Sequence, residues 1–398
     1  MSQTISDGQV IGAQGPPTPP ALEAIAAAAR RLADERLAPL AEVIDRHQTF
    51  SEELWKAVFE FGLAGIPYPV EVGGGGGSFV AYAVALEEIS RRAAIALHYH
   101  SPAAMVARAL LGGNPELATR FVPALLSGAL RASWAFTEPQ TGSDPRQIAT
   151  RARRVGGDWV ISGQKMFITL APICDIALVF CKTGERLSAI CVETDQPGWQ
   201  PGSPLLTMSF GGCLTTPVAL DDVRAPASNL VGGEGDGFRV LLTSEAEGKL
   251  RIAAACVGLA QRAQELAVAY ALDRTHRGTP IGRKFQTIQW LLGDIGAAVA
   301  SARALTREVA RRLDAGADVS AGAAAARISA ARSAEESTSN AMQVHGSYGL
   351  VQGSEVERLY REAKFFSVGQ GVVELQRIVV ARALLDDAER LRAVGPER

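Results

Sequence analysis

The sequence predicts an α+β chain in which one β block stands between two helical blocks. Apolar residues recur three and four apart up to about residue 130, the period drops to two between about 131 and 235, and the helical period returns after "GGEGDGF" and holds to the end. At 398 residues the chain exceeds one ordinary core, so two or three packed domains are expected.

Residues 1–20, with "GAQGPPTPP", are too rich in Pro, Gly and small polar residues to pack and read as a flexible tail. In residues 21–130, "ALEAIAAAARRLADERLAPLAEVI" and "SEELWKAVFEFGLAGI" carry helical spacing, and Ser51 before Glu52 and Glu53 suits a helix start. "GGGGGS", Gly73 to Ser78, lacks the Lys-Ser/Thr of a phosphate loop and reads as a plain flexible turn. In residues 131–235, "DWVISGQKMFIT", "IALVFCKT", "RLSAICVETD" and "TTPVALDDVRAP" are rich in Val, Ile, Thr and Phe and separated by Gly, Pro and Asp, which predicts strands. In residues 236–398, alanine at nearly every third or fourth position permits close helix approach, as in a bundle.

Charge is balanced, 40 basic against 42 acidic residues, which gives no electrostatic reason to expect nucleic acid or an anionic membrane. No stretch approaches the ~20 apolar residues of a membrane span and no basic-apolar leader is seen, so a soluble, cytoplasmic protein is expected. Five cysteines without a C-x-x-C pair, and no histidine at zinc-ligand spacing, read as structural thiols rather than metal ligands.

Groups for unaided chemistry are sparse. No histidine sits beside a nucleophile with an orienting third group, and His98 and His100 in "ALHYHSP" read as a helix-end pair satisfied by backbone or as pocket lining. "WAFTEPQTGSD", Trp134 to Asp144, followed by "WVISGQKMFIT", offers hydroxyls and backbone N–H groups from Thr137, Gly142 and Ser143, with Phe136 and Phe167 to cover a ring; a hairpin with a capped turn is the alternative. "YREAKFFSVGQGVVELQR" reads as a helix that breaks around Gly369 and Gly371 and resumes, with Gln370 at the break.

"AFTEPQTGSD", "GQKMFIT", "GEGDGF", "RIAAACVGLAQRA", "FQTIQWLLGDI", "QVHGSYGL" and "YREAKFF", in this order, resemble the acyl-CoA dehydrogenase family from about residue 22 to 390. The resemblance implies an α-helical N-terminal domain, a β-barrel-like middle domain and a C-terminal four-helix bundle, in a homotetramer or homodimer. It implies FAD contacted by Trp134, Phe136, Thr137 and Ser143, an aromatic at Phe167 packed on the flavin and Thr169 bonded to its ring. Arg274, Gln343 and Gly346 match positions that reach the neighbouring subunit's FAD. An acyl-CoA or acyl-carrier-protein thioester is the implied substrate, desaturated between its α and β carbons, with an electron-transferring flavoprotein as electron acceptor.

The departures cluster. Arg277 stands where the family has Phe, and Val372 and Glu374 replace a Thr and a Gln that help hold FAD. The family's catalytic Glu position is Gln370, which accepts no proton. The alternative base position on a bundle helix falls on Gly248, followed by Lys249, which with Ser143 and Gln370 is a substrate-binding candidate. Glu247 is a base only if its helix is shifted by about 100°; otherwise it reads as a solvated charge beside Glu245 and Lys249. Three readings stay open: desaturation with substrate or water as base, altered chemistry such as elimination of a β leaving group, or a flavin-free non-catalytic subunit.

Overall fold

A computed structural model describes residues 20–394, with side chains to residue 389. The expected tail lies, apart from Pro20, outside the described residues. The described residues open with α1 (Pro20–Leu32), a π turn, α2 (Ala38–His47) and α3 (Glu52–Glu60), then α4 (Phe79–Ala93), α5 (Ile95–Gly113) and α6 (Pro115–Ser127). Ser51 starts α3 as its residues predict, its hydroxyl accepting the Leu54 N–H at 3.1 Å.

The glycine run differs from expectation. It is an ordered lattice in which Gly74, Gly75, Gly76 and Gly77 give their N–H groups to Pro69, Gly65, Tyr68 and Ile66 carbonyls. A Cβ at Gly74 would strike the Tyr68 backbone, so the absence of side chains lets the loop close on itself and fix Tyr68. Those N–H groups point inward and leave no phosphate cradle.

The middle of the chain is an eight-stranded sheet built from β1 (Ala132–Ala135), β2 (Arg151–Val155), β3 (Asp158–Ile168), β4 (Ile176–Thr183), β5 (Arg186–Glu193), β6 (Trp199–Pro201), β7 (Thr216–Pro226) and β8 (Leu230–Val231). The order is β6-β7-β3-β2-β4-β5-β8, and β1 pairs in parallel with β4. "WAFTEPQTGSD" is therefore not a hairpin: its strand runs beside β4, and its turn closes only on the Glu138–Thr141 bridge. A second apolar core around Trp159, Ile161, Val179, Val192 and Val223 fills the sheet.

The remainder comprises α7 (Gly237–Thr243), α8 (Glu245–Asp273), the short pair β9 (Thr275–His276) and β10 (Thr279–Pro280), α9 (Ile281–Lys284), α10 (Gln286–Asp314), α11 (Ser320–His345), α12 (Glu355–Val368) and α13 (Val373–Val394). The four long helices α8, α10, α11 and α13 form the bundle, and α4 lies across α8 and α10, so N-terminal and C-terminal helices share one core. The absence of a side chain allows this closeness: Gly258 of α8 sits where a Cβ would strike the Glu87 carbonyl of α4. All five thiols are buried, and burial pushes Cys174 up to about 11. None of the described helices is long and apolar enough to cross a membrane.

Candidate functional site

Two structural features converge on one region, an aromatic edge of the sheet and a break in the bundle. At the edge, β3 carries an irregularity between Lys165 and Ile168. Phe167 there has φ +59° and leaves its ring 59% exposed, as a bulge does when it re-aims a side chain. Trp134 and Phe136 stand beside it on and after β1, both against Phe180, with ring centroids at 4.9 and 5.3 Å. The Ser133 hydroxyl donates to the Thr169 carbonyl at 2.7 Å and the Met166 N–H to the Thr137 carbonyl at 2.8 Å, so both quoted motifs are stitched together. Ser143 lies on the exposed loop that follows.

The main tie between the motifs is a buried ion pair. Lys165 Nζ reaches Glu138 Oε1 at 2.8 Å and also donates to the Phe136 and Phe180 carbonyls. The same carboxylate accepts N–H groups from Ala149 and Thr150, at 2.6 and 3.1 Å. Burial raises the Glu138 carboxyl, but the Lys165 ammonium and the Ala149 N–H outweigh it and hold it below its ordinary value.

The break in the bundle falls between α12 and α13. Gln370 is exposed there with φ +53°, followed by Gly371 at φ +85°. Arg327 of α11, fully buried, donates from Nη2 to the Gly369 and Gly371 carbonyls at 2.7 and 2.6 Å, gripping the chain on either side of Gln370. Replacing Arg327 by Met is expected to speed hydrogen exchange of residues 367–373 with no change in the centre of α8, because those two carbonyls lose their common donor.

A continuous path joins the two regions. Gly369 lies flat against the Phe365 ring, where a Cβ would collide. Phe365 packs edge-on against Phe210 at 5.2 Å, and His98 fills the space among Phe210, Phe365 and Phe366. The Cys213 carbonyl, three residues after Phe210, accepts the Leu170 N–H at 2.9 Å, and Leu170 follows Thr169. His98 is thus ring packing rather than a backbone-satisfied residue, whereas His100 donates from Nδ1 to the Ala96 carbonyl and accepts at Nε2 from the Tyr82 hydroxyl. Burial lowers both imidazoles to about 3 and keeps them neutral.

Glu247 differs from both expectations. It is neither solvated nor beside Lys249: Lys249 pairs with Glu245 at 3.0 Å, while Glu247 is buried with Arg108 on Oε1 and Arg251 on Oε2, at 2.6 and 2.8 Å. Both of its oxygens are committed to guanidinium N–H donors. The carboxylate that shares the Gly248 face is Glu245, since three residues turn a helix by about 300°.

Arg274, Gln343 and Gly346 do not join this site within one chain. Tyr270 stacks on His345 at 4.4 Å, which brings the far ends of α8 and α11 together with all three residues exposed, ~40 Å along α8 from Glu245 at 1.5 Å per residue.

The sequence reading missed Glu138, Lys165, Phe210 and Arg327. Glu138 and Lys165 lie inside the two quoted motifs, Lys165 as the one charged residue of "WVISGQKMFIT", and Arg327 interrupts the alanine-rich "GAAAARISAA". Phe210 gives no local signal; its role depends on contacts with α5 and α12.

An FAD ring system fits the aromatic edge, because an apolar ring as exposed as Phe167 on a left-handed backbone leaves a planar face uncovered, on a stretch of chain whose backbone neighbours include Thr137 and Thr169. The N-terminal, middle and C-terminal domain models of the acyl-CoA dehydrogenases match residues 19–129, 133–223 and 235–385. The probable acyl-CoA dehydrogenase YngJ of Bacillus subtilis is 35% identical over 89% of this chain and 95% of its own. The 3-(aryl)acrylate reductase of Clostridium sporogenes is 33% identical over 91% and 98%. Among solved structures, the FAD complex of PigA superposes with a TM-score of 0.88 at 25% identity, over 93% of this chain and 99% of that one.

Proposed function

Because the chain belongs to the acyl-CoA dehydrogenase family, we propose that it is an FAD-dependent oxidoreductase acting on an acyl thioester of CoA or an acyl-carrier protein. The observation that carries this reading is the unbroken path from the Trp134–Phe136–Phe167 edge through Leu170, Cys213, Phe210 and Phe365 to Gln370. Bound FAD supplies a hydride acceptor for the substrate's β carbon. Phe136 and Phe167 cover the ring, and Thr137, Ser143 and Thr169 offer hydrogen bonds at its rim.

A carboxamide donates and accepts hydrogen bonds but takes no proton at working pH. Gln370 therefore orients the thioester, with Ser143 as a second contact, and the α-proton leaves to water at the exposed loop. Lys249, ion-paired with Glu245, stands next to Gly248 as a further substrate contact. Arg274, Gln343 and Gly346 serve the neighbour's cofactor in a cytoplasmic homodimer or homotetramer, for which the exposed Trp290, Leu384 and Leu385 supply apolar surface. An electron-transferring flavoprotein takes the electrons.

One second reading is the same site run toward reduction of an enoyl thioester, with hydride passing from reduced flavin to the β carbon and water supplying the α-proton. The 3-(aryl)acrylate reductase likeness supports it. Purified protein should be yellow. Mixed anaerobically, saturated acyl-CoAs should bleach it slowly in the first reading, whereas in the second enoyl-CoAs restore colour to the reduced protein far faster. A colourless protein that takes up no FAD would overturn both.

A further inference from the structure

The hairpin between α8 and α10 carries an excess of positive charge. Residues 273–284, "DRTHRGTPIGRK", hold four fixed cations, Arg274, Arg277, Arg283 and Lys284, against one carboxylate, Asp273. All five are exposed, and none of the four cations has an ion-pair partner among the described residues. Elsewhere in the bundle the cations are matched: Arg262 of α8 and Arg303 and Arg307 of α10 reach carboxylates at 2.7, 2.7 and 3.2 Å.

The hairpin is tied to the bundle at its base. The Arg274 N–H donates to the Tyr270 carbonyl at 2.9 Å and the Ile281 N–H to the Arg274 carbonyl at 2.8 Å. Lys284 Nζ donates to the His276 carbonyl at 3.1 Å, and Gly282 lies where a Cβ would press on Ala271. His276 pairs with Thr279, so Arg277 and Gly278 are the two turn residues, at φ +52° and +78°. A two-residue turn with both φ positive favours Asn, Asp or Gly at its first position, because a larger side chain crowds the backbone there. Arg277 holds that position with no hydrogen bond or ion pair from its guanidinium among the described residues. A side chain kept in a disfavoured conformation while its head group stands unpartnered in solvent is the kind of outlier that marks a binding position.

The chemistry of the head group narrows the ligand. A guanidinium presents a planar fork of donors that matches phosphate oxygens two at a time. Arg274, at the base of the same hairpin, is already assigned above to the neighbouring subunit's FAD. The loop beyond Gln370 offers that cofactor little: Val372 has no side-chain polar atom, and Glu374, exposed and paired with Arg377 at 3.1 Å, repels a diphosphate.

We propose that Arg277 places a second guanidinium on the diphosphate of the FAD bound by the neighbouring subunit, so that the cofactor is held across the subunit boundary more than by its own chain's Gln370 loop. This rests on the FAD reading above. The tied hairpin carries Arg277 at its tip, and the strained turn is kept because Asn or Gly there would supply no charge. The donors that Val372 and Glu374 no longer offer are thereby replaced from the second copy.

The test is binding to the full-length apoprotein, read by quenching of flavin fluorescence, with FMN as the probe that lacks the diphosphate bridge and the adenosine. Arg277→Asn suits the turn and removes the charge. It should bind FAD about 10–100-fold more weakly than the native protein, the range of hydrogen bonds to a charged group, and bind FMN as the native protein does. Its FAD affinity should also depend less on salt, because one ionic contact fewer is left to screen. Arg277→Lys, which keeps the charge and loses the fork, should fall between the two. The Arg277→Asn apoprotein should melt no lower than the native one and sediment as the same assembly. Native FAD affinity in Arg277→Asn overturns the proposal, as does an equal loss with FMN. A variant apoprotein that dissociates would make Arg277 an interface residue and sinks it too. Arg283→Gln removes a cation outside the hairpin and should keep FAD affinity near native; a loss as large as that of Arg277→Asn would mean a diffuse field rather than a contact. Failure of the FAD reading looks different: the native protein itself then takes up no FAD, and both fall together.

Discussion

Gln370→Glu should accelerate anaerobic bleaching by a saturated acyl-CoA by about 10²–10⁴-fold, the usual contribution of a positioned general base. The loop is built to accept the change. Arg327 holds it through the Gly369 and Gly371 carbonyls, not through the side chain at 370, and the left-handed φ of +53° is no harder for Glu than for Gln. Gln370 is exposed, so the new carboxylate keeps contact with water and ionises at neutral pH. The rate in the variant should therefore rise with pH as that carboxyl loses its proton, a limb absent from the native profile. Glu247→Gln in the same background should leave the pH limb in place, since both Glu247 oxygens face guanidiniums. A variant that keeps its yellow colour yet bleaches at the native rate would show that proton removal is not what limits this site.

The layering was legible because period is a local property. The four stretches read as strands became β3, β4, β5 and β7, and the helix break fell at Gly369–Gly371. The positions of Trp134, Phe136 and Phe167 at one edge were legible only through resemblance, since β1 reaches its neighbour β4 in parallel across a long connection. Glu247 was misread for a reason the sequence does contain. Glu245–Lys249 and Glu247–Arg251 are two i,i+4 pairs offset by two residues, so they lie on different faces, and proximity along the chain joined charges that the helix separates. The buried tyrosine partner of Arg251 was invisible, because Tyr68 stands 183 residues away. "GGGGGS" read as slack chain for a similar reason: its hydrogen-bond partners are the backbone carbonyls of Gly65, Ile66, Tyr68 and Pro69, and a pairing of backbone groups leaves no side-chain pattern to read.

Glu138→Ala should be the most damaging single change to the sheet, and Lys165→Met the next. Breaking a buried ion pair from one side typically costs about 3–5 kcal/mol, because the remaining charge stays in the core. The two sides are not equal here. Lys165 without Glu138 keeps the Phe136 and Phe180 carbonyls, but Ala149 and Thr150 lose the acceptor of their N–H groups at the same stroke. Glu138 without Lys165 keeps those N–H donors. Tryptophan fluorescence can follow the loss, since Trp134, Trp159 and Trp199 are three of the five tryptophans and all lie in the sheet region. The urea midpoint should fall in the order native, Lys165→Met, Glu138→Ala, and FAD should dissociate before the fluorescence transition, because the loop carrying Thr137 and Ser143 is what the pair pins. Acid should reproduce part of the effect. The folded Glu138 carboxyl lies below its ordinary 4.5, so its contribution is complete above that pH and is lost as pH falls through the folded value. Between the native protein and Glu138→Ala, the difference in stability should therefore shrink on acidification below 4.5; a difference that stays constant down to the acid transition would mean that the pair stabilises the sheet by packing rather than by charge.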